Sequence, residues 1–450
     1  MGDLPILKGC ELHCHLGGCI YADDLLELGK DVYKEVDWSL FVDGYEKAFA
    51  ARPDPVALFR DALAGRSGGL RRFRRHYIVE EADSASFERF QAKFNLIICL
   101  YRHWRQVLHR EEEIVRRIVE RHRAEGLDYV EYRAMYSYAV EDPEGFINSH
   151  RRNARVMQEA SNNGFEARYI ISLPRWAPLQ GYALVERLLG ESPDLIPTIV
   201  GLDFCFFEEG YPPKTVRPLF ERLDRDNGLN PGRALQVVYH VGEVYFDKSL
   251  ESAVRWCHEA AEMGASRLGH AIALGLDPET ALGRRRDAHQ EELASERLDQ
   301  IAYDLRFGDA LQCYGVNVDR PALQRERSAL RQRPAAARVR STYTPERLAE
   351  IRRRQEFVLD RLVELGTVIE SCPTSNLRIG GVPAASRHPL HRFLNSSVKL
   401  AIGADDPGIF DSPLAAEVDW VVENTGMDAD ALALRLGDPR RFRLGNLRTQ

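Results

Sequence analysis

The sequence lacks any apolar run long enough to cross a bilayer. Its first residues also lack the basic region and apolar core of a secretion signal. We therefore expect a cytoplasmic protein with no membrane segment. The eight cysteines are scattered and none forms a C-x-x-C pair, which favours reduced, buried thiols over a disulfide framework.

An excess of positive charge is also absent. The chain has 61 Lys and Arg against 68 Asp and Glu, a net charge of −7. This balance argues against a protein that coats nucleic acid or lies on a membrane surface, since both need a basic face. The 450 residues could hold two or three domains, but no repeat and no linker separates them. We expect one domain that spans residues 1–450.

Short segments rich in β-branched and aromatic residues recur along the chain, and helical patterns of apolar residues lie between them. The eight segments are residues 8–16, 127–134, 166–173, 198–205, 234–240, 266–271, 367–372 and 398–404. Repeated strand-helix units imply a parallel sheet, and eight of them close into a barrel. The sequence therefore predicts an α/β fold, a (β/α)8 TIM barrel.

Two segments are longer than a barrel needs. Residues 20–100, after the first strand, have the pattern of several helices. Residues 276–346, after the sixth strand, are charged and partly low in complexity. Because the second insertion follows a strand end, we expect it to cover the catalytic mouth or to contact another chain.

Two histidines stand one residue apart in the first predicted strand, in the stretch ELHCHLGG (11–18). Alternate side chains of a strand share a face, so His13 and His15 should point one way and Cys14 the other. Such a pair suits a metal site. It suits equally well two satisfied polar residues in a strand.

Other polar residues fall at the carboxyl ends of predicted strands. His240 ends the fifth strand, His270 ends the sixth, and Asp405 and Asp406 directly follow the eighth. Each of them alone is better explained as a core histidine or a helix-capping aspartate. Chemistry in such barrels collects at the carboxyl ends of the strands, so the shared placement predicts one catalytic mouth.

These donors predict a zinc centre. Imidazole nitrogens and one carboxylate suit Zn²⁺ with a position left open for water. We assign His13, His15, His240 and Asp405 as ligands of one zinc ion per chain. Zinc lowers the pKa of bound water to about 7, which predicts a hydrolytic reaction. Glu243, in the stretch HVGE, is placed to exchange a proton with the substrate.

Eight motifs follow one another between residues 11 and 410: ELHCHL, FQAKFN, YVEYR, VGLDF, HVGE, RLGHA, CPTSN and ADDPGIF. Together they resemble the adenosine deaminase family of zinc amidohydrolases. The resemblance implies the same four zinc ligands. It further implies that Glu243 protonates purine N1 and that Asp406 meets N7. His270 would orient and deprotonate the zinc water that attacks C6.

Two positions depart from the family pattern on the substrate side. Gly17 stands where the family usually has an Asp that bonds the ribose 5′-hydroxyl, and Phe206 stands where it usually has a glycine whose backbone meets purine N3. An Asp at position 17 would repel a 5′-phosphate. We therefore expect 5′-phosphorylated adenine nucleotides to be accepted at least as well as adenosine.

The expected function is zinc-dependent hydrolytic deamination of a 6-aminopurine nucleoside or nucleotide to the inosine form, with release of ammonia. One alternative is deamination of free adenine or of a modified purine. Another is a weakly catalytic barrel that acts as an assembly or interaction protein. We expect no nucleic-acid partner, whereas a second copy or a partner protein would bind through residues 276–346.

Overall fold

The eight predicted barrel segments are strands of one parallel sheet. The computed structural model describes residues 4–84, 86–136, 139–162, 164–284 and 289–445. The strands are β1 Cys10–His15, β2 Tyr129–Met135, β3 Glu166–Ser172, β4 Ile199–Asp203, β5 Gln236–Val241, β6 Ala265–His270, β7 His289–Leu293, β8 Arg338–Thr342, β9 Val368–Ser371 and β10 Lys399–Ile402. The large sheet has the order β1-β2-β3-β4-β5-β6-β9-β10. The predicted (β/α)8 barrel is confirmed.

Backbone hydrogen bonds join the first and last barrel strands. The amide of His15 donates to the carbonyl of Asp405, and the amide of Asp405 donates to the carbonyl of His13, each over 2.8 Å. Cys14 and Asp405 thereby form a parallel bridge at the carboxyl ends of β1 and β10. The closure of the barrel and the candidate ligands thus share the same residues.

Helices surround the sheet and fill both insertions. They are α1 Leu4–Lys8, α2 Ala22–Gly29, α3 Ser39–Phe49, α4 Pro55–Leu63, α5 Gly69–Tyr77, α6 Phe87–Gln106, α7 Glu112–Ala124, α8 Pro143–Ala160, α9 Pro178–Glu191, α10 Arg217–Leu229, α11 Leu250–Glu262, α12 Ile272–Gly275, α13 Pro278–Gly283, α14 Ala294–Arg306, α15 Gly308–Cys313, α16 Arg320–Leu330, α17 Pro345–Leu365, α18 Pro373–Arg378, α19 Leu390–Leu394, α20 Pro407–Phe410, α21 Leu414–Thr425 and α22 Ala429–Leu436. No helix in the described ranges has the length and apolar character to span a bilayer.

The first insertion is helical, as its pattern predicts. It contains α2 to α5 and most of α6, whose N-terminus is capped by the Ser86 hydroxyl accepting from the amide of Arg89. Apolar residues recur three or four apart along α6, so one of its faces is buried. This helix lies over the cavity described below.

The second insertion contains α13 to α16 and an antiparallel hairpin of β7 and β8, which the sequence analysis did not predict. Residues 285–288 of this insertion lie outside the described ranges. The insertion packs against α11, where the indole of Trp256 donates to the Glu296 carboxylate over 2.7 Å. None of its described residues lines the cavity at the barrel mouth. The structure therefore does not place this insertion over the site.

The barrel interior combines apolar side chains with a buried charged network. Glu131, Arg133, Arg267 and Glu370 are each at most 1% exposed. The Glu370 carboxylate lies 2.5 Å from a guanidinium nitrogen of Arg133 and 2.6 Å from one of Arg267. Buried charges persist only when they are paired. The network therefore fixes the Glu370 carboxylate below the catalytic mouth.

Candidate active site

The four predicted metal ligands meet at the carboxyl ends of β1, β5 and β10. Nε2 of His240 lies 3.1 Å from Nε2 of His13 and 3.1 Å from Nε2 of His15. Oδ1 of Asp405 lies 3.4 Å from Nε2 of His13 and 3.2 Å from Nε2 of His15. The side chains of His13, His240 and Asp405 are almost fully buried. The structure therefore brings together all four residues that the sequence analysis selected.

Buried carboxylates orient two of these imidazoles. Nδ1 of His13 donates to Glu370 over 2.9 Å, and Nδ1 of His240 donates to Asp203 over 2.9 Å. The Ser172 hydroxyl donates to the other oxygen of Asp203. With the proton fixed on Nδ1, each imidazole presents the lone pair of Nε2 to the cavity.

The lone pairs of His13 and His240 face each other, which fits a cation between the donors. Burial lowers the pKa of both imidazoles, so each is neutral near pH 7 and neither Nε2 carries a proton. Two lone pairs 3.1 Å apart repel each other, and a shared cation removes that repulsion. Three imidazole nitrogens and a carboxylate oxygen form a ligand set typical of catalytic zinc.

Two other predicted residues lie beside this centre. Nε2 of His270 is 3.8 Å from Oε2 of Glu243 and 3.9 Å from Oδ2 of Asp405. The Asn376 side-chain oxygen accepts from Nδ1 of His270 over 2.9 Å, so Nε2 of His270 is free to accept a proton. Burial raises the pKa of Glu243 above its usual value, which favours the protonated acid. An acid and a base therefore face the same space.

Asp406 occupies a position that only glycine at residue 18 permits. A Cβ atom on Gly18 would lie 1.7 Å from Oδ1 of Asp406. This oxygen is buried and has no hydrogen-bond partner among the described residues. An unpartnered buried oxygen is costly without a ligand. Asp406 is thus placed to contact a bound molecule.

The site opens into a cavity of about 560 Å³. This volume lies in the range of small-molecule sites, roughly 300–1,000 Å³. Gly17 lines it and faces the ring of Phe94, whose Cζ atom would lie 3.2 Å from a Cβ at position 17. A side chain at position 17 would therefore displace Phe94 or project into the cavity.

Phe206 also lines the cavity and lies in the loop that follows β4. Its φ of 71° lies in the left-handed region, which glycine adopts readily and phenylalanine does not. Its ring is 42% exposed and lies 4.4 Å from the ring centre of Phe207. The backbone at this position has a conformation that suits glycine, while the side chain adds an aromatic surface.

Several residues of the site were missed by the sequence analysis. Asp203, Glu370 and Asn376 orient histidines through the hydrogen bonds given above. Their signal was present, because Asp203 and Glu370 are charged residues inside apolar strands. Such residues in a barrel strand point to a buried partner.

The family model described as adenosine deaminase matches residues 341–435. An adenine deaminase from Rhizobium leguminosarum bv. trifolii is 40% identical over 78 residues, 17% of this chain and 24% of the relative. The matched stretch thus spans about a quarter of that relative's length. Residues 341–435 of this chain are therefore similar to the adenosine deaminase family.

Solved structures are similar to the whole barrel. An amidohydrolase from Burkholderia ambifaria with bound Zn is 13% identical, with a TM-score of 0.55, over 99% of this chain and 88% of that one. The N6-methyl-AMP deaminase of Arabidopsis thaliana is 16% identical, with a TM-score of 0.55, over 99% and 95%. At this identity the likeness shows that the chain shares the fold of these structures.

Proposed function

We propose that this protein is a zinc-dependent hydrolase that deaminates a 6-aminopurine nucleoside or nucleotide. The observation that carries the proposal is the 3.1 Å approach of Nε2 of His13 to Nε2 of His240 beside Asp405, with both Nδ1 atoms held by carboxylates. The match of residues 341–435 to the adenosine deaminase family model supports it, as do the bound Zn and the purine substrates named for the similar proteins.

One Zn²⁺ ion would be held by His13, His15, His240 and Asp405. When bound, it acts as a Lewis acid that lowers the pKa of water to about 7. His270 accepts a proton from the attacking water at Nε2, because Asn376 holds its other nitrogen as a donor.

The remaining residues act on the purine. Glu243 gives its proton to ring N1, which makes C6 more electrophilic. Asp406 binds the N7 edge and fixes the plane of the ring. The oxygen of water bonds to C6, and the bond from C6 to the amino nitrogen breaks. One proton of the water leaves with ammonia, the other restores the Glu243 acid, and the proton that Glu243 gave stays on N1 of the product. Water and a 6-aminopurine thus give the 6-oxo form.

The site has room for more than a free base. Because residue 17 is a glycine and not an aspartate, no carboxylate at this position repels a 5′-phosphate. We therefore infer that 5′-phosphorylated adenine nucleotides are substrates. The cavity volume of about 560 Å³ supports a ligand with a sugar. Free adenine is a second candidate, since the similar Rhizobium protein is named an adenine deaminase.

A substrate panel tests the proposal. Ammonia release and kcat/KM are measured for adenine, adenosine, deoxyadenosine and their mono- to triphosphates. We expect turnover of the nucleosides and nucleotides, with nucleotides at least equal to nucleosides. Gly17→Asp should shift the preference towards unphosphorylated nucleosides. A wild-type preference for unphosphorylated substrates would contradict the nucleotide proposal.

Three variants test the assigned roles. His15→Ala should lose both metal and activity, measured by elemental analysis and ammonia release. Glu243→Gln should keep the metal and lose several orders of magnitude in kcat, because it keeps the shape and removes the proton. Asp406→Asn should weaken substrate binding and kcat together. Full activity of wild-type protein that contains no metal would contradict the assignment.

Assembly through residues 276–346 stays a separate prediction. The insertion packs on α11, outside the cavity. Light scattering of the wild type and of a deletion variant tests it. The same number of chains per particle in both would exclude this role.

A further inference from the structure

The cavity follows helix α6 far beyond the metal ligands. Phe90, Phe94, Tyr101 and Arg105 all line it, and their spacing places them on one face of the helix. An α-helix rises about 1.5 Å per residue, so Arg105 lies about 16 Å along the axis from Phe94, the neighbour of Gly17. The cavity therefore has an outer arm, lined by Tyr101, Arg105, Tyr136, His150 and Asn153.

Arg105 brings an unpaired positive charge to this arm. Its guanidinium lies over the ring of Tyr136, 4.7 Å from the ring centre. Among the described residues its buried Nε has no hydrogen-bond partner. The nearby carboxylate of Glu111 is already engaged by Arg152 and by the Ser149 hydroxyl. The charge of Arg105 is therefore available to a ligand.

His150 presents a second donor. Asn153 donates to the Tyr169 hydroxyl oxygen over 3.3 Å, and that hydroxyl lies 2.7 Å from Nδ1 of His150. The Tyr169 proton therefore goes to Nδ1. Burial lowers the pKa of His150 to about 3, so the ring is neutral and its single proton is on Nε2. The side chain is 2% exposed, and Nε2 has no partner among the described residues.

Tyr101 completes the arm. Its buried hydroxyl oxygen lies beside the Asn153 amide, and its proton has no acceptor within the described ranges. Arg105, His150 and Tyr101 thus offer three donors without acceptors. Unpartnered Oδ1 of Asn153 adds one acceptor, which suits a hydroxyl group on the same ligand. Leaving buried donors unpaired is costly, and it is explained when a ligand supplies the acceptors.

We propose that the outer arm is a subsite for an oxygen-rich anionic group, a phosphate or a carboxylate, carried at the far end of the substrate. Arg105 pairs with the anion, and the protons of His150 Nε2 and Tyr101 Oη bond to its oxygens. The inference rests on the proposed function for the purine at the other end. It predicts a substrate longer than adenosine, because Arg105 and Phe94 are about 16 Å apart along α6.

Calorimetric binding of inosine 5′-monophosphate and of inosine to the metal-loaded protein tests the subsite. Inosine 5′-triphosphate is included, because it reaches further along the arm. Arg105→Gln should weaken inosine 5′-triphosphate, which reaches the arm, roughly 10- to 100-fold and leave inosine unchanged. Arg105→Lys should retain part of the affinity. Arg110→Gln, an exposed arginine outside the cavity, is the matched control and should bind as the wild type does.

Tyr101→Phe is a second test that should not disturb folding, since it removes only one hydroxyl group. It should weaken inosine 5′-triphosphate and keep the wild-type Tm. Equal affinity of the wild type and Arg105→Gln for every phosphorylated ligand would overturn the proposal. An equally large loss of affinity for inosine in Arg105→Gln would also overturn it.

Inorganic phosphate, pyrophosphate and succinate separate the two sources of the anion. They also separate the subsite from the proposed deamination. Binding of a phosphate or of succinate that is lost in Arg105→Gln supports the subsite even if no purine is deaminated. If purines are deaminated but every anion binds equally well to the wild type and to Arg105→Gln, the subsite is overturned and the proposed function stands.

Discussion

The carboxylate of Glu208 holds the backbone on both sides of Glu243. One oxygen accepts from the amide of Gly242 and the other from the amide of Val244, each over 3.1 Å. Glu208 is 4% exposed and follows β4, so it joins the loops after β4 and β5. The proposed proton donor is thereby fixed by a residue outside the cavity.

Glu208→Gln should lower kcat without loss of metal. The amide keeps one acceptor oxygen, so one of the two backbone bonds is lost and Glu243 moves from its position. We expect a fall of roughly 10- to 100-fold in kcat, with zinc content unchanged by elemental analysis. Glu209→Gln, at the exposed neighbouring position, is the control. Wild-type kcat in Glu208→Gln would exclude the positioning role.

Gly18→Ala should be far more damaging than Gly17→Ala. A Cβ at position 18 overlaps Asp406, whereas one at position 17 meets only the movable ring of Phe94. We expect Gly18→Ala to lose substrate binding and to lower Tm, since steric overlap in a packed site typically costs about 1–3 kcal/mol. Thermal unfolding and substrate affinity are measured for both variants. Similar behaviour of the two would contradict this view of the glycine pair.

Phe206→Gly should be more stable than Phe206→Ala. Both variants lose the ring, but only glycine adopts a φ of 71° without strain. The expected difference in the free energy of unfolding is about 1 kcal/mol. Urea unfolding measures it, and an alanine variant at least as stable as the glycine variant would show that the backbone is not strained here.

Glu417→Gln should stabilise the protein more at pH 8 than at pH 5. Burial raises the pKa of Glu417 to about 7, although Ser412 and Thr374 donate to it. As the pH rises from about 4.5 to 7, the unfolded chain loses this proton first, so wild-type stability falls. Glutamine removes that dependence, and the expected difference between the two pH values is on the order of 1–3 kcal/mol.

Unfolding of Glu417→Gln and of the wild type at the two pH values measures this effect. Glu423→Gln, at an exposed position on the same helix α21, provides the control. Its difference in stability from the wild type should be the same at both pH values. A stability change in Glu417→Gln that is the same at both pH values would show that Glu417 is not held protonated.

The barrel was predictable because its strands are short apolar segments with a helix after each. The positions of His13, His240 and Asp405 were predictable because parallel strands end at one mouth. The hairpin was not, since β7 and β8 carry mostly polar residues and β8 is largely exposed. No alternation of apolar residues marks such strands.

The contacts of Glu208 and the outer arm could not be predicted either. Glu208 lies in a loop, and its partners belong to a different loop. Arg105 and His150 belong to helices whose packing no local pattern specifies. Their roles depend on distances between elements, which a sequence without a fold does not contain.

The bridge between Cys14 and Asp405 gives metal binding a place in the folding of the chain. His13 and His15 are made long before Asp405, so a chain that stops before β10 lacks one of the proposed ligands. Contacts between such distant residues form late, because their loop closure costs the most entropy. A metal ion at this point would hold the two ends of the barrel together, and metal content would report the fraction of molecules with a completed barrel.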